Sequence, residues 1–180
     1  LKAQDMASIE RIYTDCPAIY REINDYMPKL CQDGLLKFYK DDALSLSTLY
    51  HIRGNMDELL NSKVWLPSGA NIIIETLETL TVIDVNSGKN QSRKEDTILR
   101  INLEAAREIA RQLKLRNISG MIIVDFINLK SQEQKEELIR CIRQELKKDT
   151  VPAQFIDITR LGLVELTRKK VYKSLREILQ

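Results

Sequence analysis

The sequence has little of what several protein classes require. Its 180 residues contain a single histidine, His51, and three widely spaced cysteines, Cys16, Cys31 and Cys141. An odd number of distant cysteines predicts reduced thiols, and these four residues lack the ligand spacing of a protein-bound zinc. No apolar run approaches the roughly 20 residues of a membrane-spanning helix. Acidic residues throughout the first thirty positions exclude the apolar core of a signal peptide. We therefore expect a cytoplasmic protein.

The composition predicts a soluble globular chain. It is 43% hydrophobic and 30% charged, which suffices for one core and a second small unit. Because the chain begins at Leu1 and not at methionine, we expect a fragment or a processed product.

The formal net charge of +2 is unevenly distributed. Residues 88–116 hold eight basic and four acidic side chains, and residues 159–180 hold six and two. Such basic segments fit a polyanion, although a solvated helix face has the same composition. Charge alone favours the solvated helix face.

One stretch, residues 80–89, organises the chain. Its apolar, β-branched run predicts a strand that Ser87 and Gly88 terminate. Side chains alternate along a strand, so Asp84 and Asn86 project from the same face at its carboxyl end. The two residues are therefore expected to direct their oxygens at one point.

A second carboxylate, Asp125, ends the apolar run of residues 120–126. A polar loop and one helix fill the interval, which predicts a strand–helix–strand unit with parallel strands. Parallel strands bring their carboxyl ends to one edge of the sheet, where ligands of open α/β sheets bind. Asp84 and Asp125 are thus predicted to be neighbours.

Two interpretations of these aspartates compete. A carboxylate after a strand commonly caps a turn or the next helix. A pair of them with a nearby amide favours a shared magnesium ion, which prefers oxygen ligands and removes the cost of adjacent like charges. The residues alone predict an acidic metal site suited to phosphoryl chemistry. A nucleotide-binding α/β domain is the other alternative, but no glycine-rich phosphate loop follows a strand.

The remaining periodicity predicts the order of elements. Pro28 should kink or end the first helix, and the turn-rich residues 64–70 should separate an N-terminal piece from the main domain. Helices are predicted over 17–30, 45–60, 96–115 and 131–148, with a basic helix from about 165, and strands over 35–39, 71–75, 80–85, 120–126 and 154–158.

Several segments together resemble the bacterial ribonuclease E/G family. They occur in the family's order and spacing, from about residue 10 to about residue 175. The segments are LPSG at 66–69, IDVNSG at 83–88, NLEAA at 102–106, EIARQL at 108–113, VDF at 124–126 and LGLVELTR at 161–168.

The resemblance implies an α/β fold in two parts. Residues 64–180 resemble a deoxyribonuclease I-like catalytic subdomain, a mixed sheet with flanking helices. Residues 1–63 resemble the C-terminal part of a ribonuclease H-like subdomain. The implied activity is magnesium-dependent endonucleolytic cleavage of single-stranded, often A/U-rich RNA in RNA processing and decay, commonly favouring 5′-monophosphorylated ends.

The resemblance also implies residue roles. Asp84 and Asp125 look like the metal-binding carboxylates, and Asn86 like the amide that positions the first of them or contacts the phosphate. Magnesium would activate a water for in-line attack on the phosphodiester. The predicted RNA contacts are basic residues of the loop and the tail: Lys89, Arg93, Lys94, Arg160, Arg168 and Lys169.

The chain departs from the family pattern at three positions. Ala70 replaces a usual glycine, Asn128 stands where an aspartate is frequent, and Pro152 replaces a basic residue and with it a phosphate contact. The chain also lacks the family's S1 and 5′-sensing parts and the zinc-binding Cys-Pro-X-Cys segment that links protomers. The full-length protein is expected to be a homo-oligomer, while the state of this chain stays open. An RNA-binding fragment without turnover is therefore the alternative function.

Overall fold

A computed structural model describes residues 9–88 and 95–179. The chain forms two compact units, and the division in sequence falls between Met56 and Asp57, seven residues before the predicted boundary. Strand β3, at Lys63–Trp65, pairs within the second unit, which explains why the division lies earlier.

The first unit contains a small parallel sheet. Strands β1 (Ile12–Thr14) and β2 (Leu36–Phe38) pair in parallel, and helices α1 (Pro17–Tyr26) and α2 (Pro28–Gln32) lie between them in sequence. The predicted interruption at Pro28 is confirmed.

The helix predicted over 45–60 is divided in two. Helix α3 spans Leu46–Leu49 and helix α4 spans Ile52–Leu60. Between them His51 adopts a left-handed backbone conformation with φ of 49°. Its imidazole lies against Gly54, where any Cβ would overlap with the ring. The helical spacing of the apolar residues did not reveal this break.

The second unit is built on a six-stranded sheet in the order β3-β4-β5-β6-β8-β7. Strands β5 and β6 are parallel, and all other described neighbours are antiparallel. The remaining strands are β4 (Asn71–Thr76), β5 (Leu80–Asn86), β6 (Gly120–Asp125), β7 (Ala153–Ile158) and β8 (Val164–Arg168). The predicted hairpin and strand–helix–strand unit are confirmed.

Two helices bury one face of this sheet. They are α5 (Glu95–Leu115) and α6 (Gln132–Leu146), and Ser131 is the N-cap of α6, since its side chain accepts a hydrogen bond from the Gln134 amide. Their apolar stripes pack with alternate strand residues, including Ile83 and Val124, into one core. The structure is thus the predicted mixed α/β type. No helix among the described residues has the length and apolarity needed to cross a bilayer.

The basic helix predicted from about residue 165 is wrong. Residues 164–168 form strand β8, in which buried and half-buried side chains alternate between β6 and β7. Only a short helix, α7, follows at Leu175–Leu179. The charged residues suggested a surface helix, whereas the two-residue alternation of Val164, Leu166 and Arg168 is that of a strand.

A β-bulge interrupts the outermost strand, β7. Phe155 pairs with Leu166 and Asp157 with Glu165, so Ile156 has no partner in the ladder. The Arg143 guanidinium of α6 lies 4.8 Å from the centre of the Phe155 ring and covers it. The strand is therefore attached to α6 on one side and locally irregular at its edge.

An ion pair between Arg168 and Asp149 lies at the end of the sheet where β8 ends. The Arg168 side chain is 2% exposed, and its Nε donates to Asp149 Oδ2 at 2.8 Å. One Nη also donates to Asn117 Oδ1 and to the Ile118 carbonyl, at 2.8 and 3.0 Å. Arg168 thereby joins the segments that precede β6 and β7.

Replacing Arg168 with methionine should destabilise the second unit. The apolar stem is kept, but Asp149 loses its cation inside the protein, which typically costs about 3–5 kcal/mol. Urea unfolding of Arg168→Met measures the loss, and Lys169→Met, at the adjacent exposed position, should change stability by no more than about 0.5 kcal/mol. Equal stabilities for the two variants would contradict the role given to the pair.

The ion pair should also make stability acid-sensitive. Burial alone would raise the pKa of Asp149, but hydrogen bonds from Arg168 and the Val151 amide outweigh it and hold that pKa below its ordinary value of 3.8. A lowered folded pKa contributes stability that is complete above the unfolded value and is lost as the pH falls through the folded value. Melting temperatures should therefore fall more steeply below about pH 4 in the wild type than in Asp149→Asn.

Candidate active site

The predicted carboxylate pair is brought together by strand register. Asp84 and Asp125 are direct partners in the parallel ladder of β5 and β6, whose backbones lie about 4.8 Å apart. Both side chains lie on the face opposite α5 and α6, because the core-facing residues of these strands are their neighbours Ile83, Val85 and Val124. Asp84 is half-buried and Asp125 is exposed.

Asn86 lies beside the first carboxylate. Its Nδ2 donates a hydrogen bond of 2.6 Å to Asp84 Oδ2. This contact orients the Asp84 carboxylate beside the Asn86 amide.

A buried amide on α5 fixes the segment that follows Asp125. Asn102 is 0% exposed. Its Nδ2 donates to the Ile127 carbonyl at 2.7 Å, and its Oδ1 accepts from the Ile127 amide at 3.1 Å. The Asn102 side chain thus pairs with both backbone groups of Ile127, as a neighbouring strand would. Asn102 was not identified as a positioning residue from sequence.

The same helix also holds the turn beside Asp84. Glu104 accepts a hydrogen bond of 3.1 Å from the Ser68 amide, in the turn that connects β3 to β4. Gly88, just after β5, has φ of 62° and packs so closely on Gly69 that a Cβ would overlap with the Gly69 carbonyl oxygen. One helix therefore locates both strand ends that carry the carboxylates.

A cavity of about 250 Å³ opens next to Asp125. Apolar residues from the loop after β6, from α6 and from the β7–β8 hairpin form most of its wall, and Asn128 and Lys135 add polar groups. Leu161, at the tip of that turn, is 88% exposed. Lys135 was missed from sequence because it is one charged residue among several on α6, and only the fold brings it to this edge.

The predicted RNA-contacting residues are placed very differently. Arg160 is exposed in the β7–β8 turn, at the carboxylate end of the sheet. Lys169 is exposed at the opposite end, just after β8. Arg168 lies in the interior with its guanidinium occupied, so its predicted RNA contact is corrected to a structural ion pair. Lys89, Arg93 and Lys94 lie outside the described residues.

Helix α5 adds two exposed arginines near the site. Arg100 and Arg107 line a cleft of about 380 Å³ together with Ser68 and Glu104. This cleft borders the turn that packs on Gly88, so positive charge lies close to the end of β5.

The donor set suits a hard cation. No three His, Cys, Asp or Glu side chains cluster as a metal site within residues 9–88 and 95–179. Two in-register carboxylates and an amide oxygen nevertheless match the preference of magnesium, which binds through one or two carboxylates and keeps several waters. Zinc, which prefers nitrogen and sulfur ligands, does not fit this set.

The fold and the site define an α/β protein with an acidic oxygen cluster at the end of two parallel strands. Comparison with known proteins identifies the family within this class. The model of the Ribonuclease E/G family matches residues 2–171, and the chain belongs to that family.

Individual relatives agree with this assignment. The chain is 42% identical to Ribonuclease E of Synechocystis sp. over 97% of its own length and 27% of that protein. It is 34% identical to a chloroplastic Ribonuclease E/G-like protein of Arabidopsis thaliana, over 92% and 17% of the two chains. Ribonuclease G of Escherichia coli is 32% identical, over 96% and 36%. The chain thus spans roughly a sixth to a third of these relatives.

Removing the Asn102 amide should destabilise the protein. Asn102→Leu keeps the side-chain size but leaves the amide and carbonyl groups of Ile127 unpaired in the interior, at about 1–3 kcal/mol each. Thermal and urea unfolding should show this loss. Gln144→Leu, an amide-to-leucine change at an exposed position of α6, is the control and should be near neutral. A near-neutral Asn102→Leu would contradict the positioning role.

Proposed function

We propose that this chain is the core of a magnesium-dependent endoribonuclease that cleaves single-stranded RNA in RNA processing and decay. The observation that carries the proposal is the in-register placement of Asp84 and Asp125, with Asn86 hydrogen-bonded to the first. Membership of the Ribonuclease E/G family supports the same activity. A deoxyribonuclease I-like subdomain, preceded by the end of a ribonuclease H-like one, is the fold identity that we propose with it.

The proposed chemistry assigns a task to each residue. Asp84 and Asp125 would hold magnesium, and Asn86 would keep the Asp84 carboxylate in the orientation that the ion needs. Magnesium, when bound, supplies a Lewis acid that lowers the pKa of a water and offsets charge on the phosphoryl oxygens. Asn102 and Glu104 act through the backbone and hold the two strand ends at a fixed separation.

The proposed RNA path follows the positive charge at this end of the sheet. Arg100 and Arg107 lie on one side of the carboxylate edge, and Arg160 and Lys135 on the other. Phosphate contacts of this kind provide affinity without base selectivity, and they weaken with salt. Cytoplasmic location and homo-oligomerisation of a longer protein accompany this proposal as predictions.

RNA binding without turnover is the second candidate. The chain spans only 27% of the Synechocystis relative, so turnover by the whole relative does not establish turnover by this chain. The basic surface would still bind RNA. The two candidate functions predict different effects of an Asp125 substitution. A catalyst should lose cleavage, whereas a binding protein has no cleavage to lose.

Cleavage of a 5′-monophosphorylated, A/U-rich single-stranded RNA tests the proposal. With magnesium the wild type should cut, and Asp125→Asn should lose about 10³-fold or more in rate, because losing a metal carboxylate removes several kcal/mol of charge stabilisation. RNA affinity, measured by fluorescence anisotropy, should change little, because phosphate contacts carry it.

The matched control is Asp25→Asn, which makes the same chemical change at an exposed position of α1 and should cut at the wild-type rate. Cutting that continues in Asp125→Asn, or that ignores magnesium, would overturn the proposed site. RNA binding without cutting by the wild type would favour the second candidate.

A further inference from the structure

A small cavity lies at the end of the sheet opposite to the carboxylates. Its volume is about 70 Å³, well above the roughly 10–15 Å³ that one water requires. Its wall includes Thr76, paired with Thr81 near the start of β5, and Ile118, just before β6. All of its lining residues belong to the second unit.

A buried guanidinium at this cavity is incompletely paired. Arg116, at the C-terminal end of α5, is 8% exposed, and its Nε donates to Gln112 Oε1 at 2.6 Å. Its Nη2 atom is buried and has no hydrogen-bond partner among the described residues. Gln112 in turn donates to Glu108 at 2.7 Å, and Arg111 forms an ion pair with the same carboxylate. The Glu108 carboxylate is therefore linked to Arg116 only through Gln112, and it is shared with Arg111.

Arg168 shows what a completed site looks like in this protein. It is also buried, and it has a carboxylate partner at 2.8 Å. Burial lowers the pKa of Arg116, and the charge of Glu108 only partly opposes this effect. A buried cation without a direct counterion is costly, so a negative partner at Arg116 would be strongly favoured.

The remaining wall of the cavity supplies donors for an anion. Arg176 adds a second guanidinium, and Ser62, Thr76 and Ser174 add hydroxyl groups. The described residues that line the cavity include no carboxylate. The segment that carries Ser174 and Arg176 is docked on the end of α5 through the hydrogen bond from the Leu175 amide to the Arg116 carbonyl, at 2.9 Å.

We propose that this cavity is a binding site for a small inorganic anion, chloride or phosphate, held between Arg116 and Arg176. Charge-assisted hydrogen bonds from a guanidinium are stronger than those to water, and they would satisfy the unpaired Nη2. The anion would fasten the segment of Ser174–Arg176 to the end of α5 and to the residues before β3. Its effect would be on stability, independent of RNA cleavage.

Thermal unfolding of the whole chain at constant ionic strength tests the site. Sodium gluconate, whose anion is too large for the cavity, is replaced stepwise by sodium chloride in one series and by sodium phosphate in another. At about five times the Kd, the bound anion should raise the melting temperature by about 2–4 °C, and at higher concentrations the rise should continue with the logarithm of the anion concentration. The series whose rise begins at the lower concentration identifies the anion that binds more tightly.

Substitutions at the cavity, with one matched control elsewhere, locate the effect. Arg176→Gln, on the exposed side of the cavity, should weaken the apparent affinity by at least about fivefold, as expected for the loss of a charged hydrogen bond. Arg140→Gln, which removes the same charge from an exposed position of α6, should respond like the wild type. Arg116→Gln should abolish the response, and Thr76→Val provides a further cavity variant if Arg116→Gln does not fold.

Anomalous scattering from a crystal soaked in bromide gives an independent readout, with a peak expected beside Arg116 Nη2. A melting temperature that depends on ionic strength alone, or an equal response of Arg176→Gln and Arg140→Gln, would overturn the proposal. Water alone beside Nη2 in the presence of bromide and phosphate would do the same. None of these measurements uses RNA, so the cleavage proposal stands or falls separately.

Discussion

The parallel pairing of β5 with β6 is the constraint on which the candidate site depends. It makes Asp84 and Asp125 direct ladder partners, and a shift of one residue would turn one carboxylate toward the core. The register is maintained by α5, which buries an apolar stripe on the strands. Through Asn102 it holds the segment after Asp125, and through Glu104 it holds the β3–β4 turn that packs on Gly88 after β5. The same helix therefore connects the two strands and aligns their ends.

Much of this arrangement could be predicted from the sequence, because it rests on local patterns. Apolar runs predicted β5 and β6, helical periodicity predicted α5, and parallel topology then placed Asp84 beside Asp125. The failures concern contacts between distant residues. Charge suggested a surface helix around Arg168, whereas Asp149, 19 residues away in sequence, makes an interior position tolerable for it. Likewise, Asn102 is an ordinary helical residue until the fold brings Ile127 to it.

The ends of the sheet differ in charge. Carboxylates lie at the carboxyl ends of β5 and β6, whereas Arg116 and Arg168 are buried toward the opposite end. The two buried guanidinium groups are paired differently. Arg168 forms an ion pair with Asp149, whereas Arg116 keeps a buried Nη2 without a hydrogen-bond partner among the described residues. A basic residue in this chain is therefore not by itself evidence of an RNA contact, and burial decides which arginines remain available to phosphate.

The bulge in β7 has a consequence for self-association. An outer strand presents a row of unpaired amide and carbonyl groups. A strand from another chain can form hydrogen bonds with them and extend the sheet toward a fibril. With Ile156 excluded from the ladder, the spacing of these groups is broken in the middle of the strand, and Asp157 adds a charge beside the break. An incoming strand could match only a short stretch on either side, which protects the chain from open-ended aggregation along this edge.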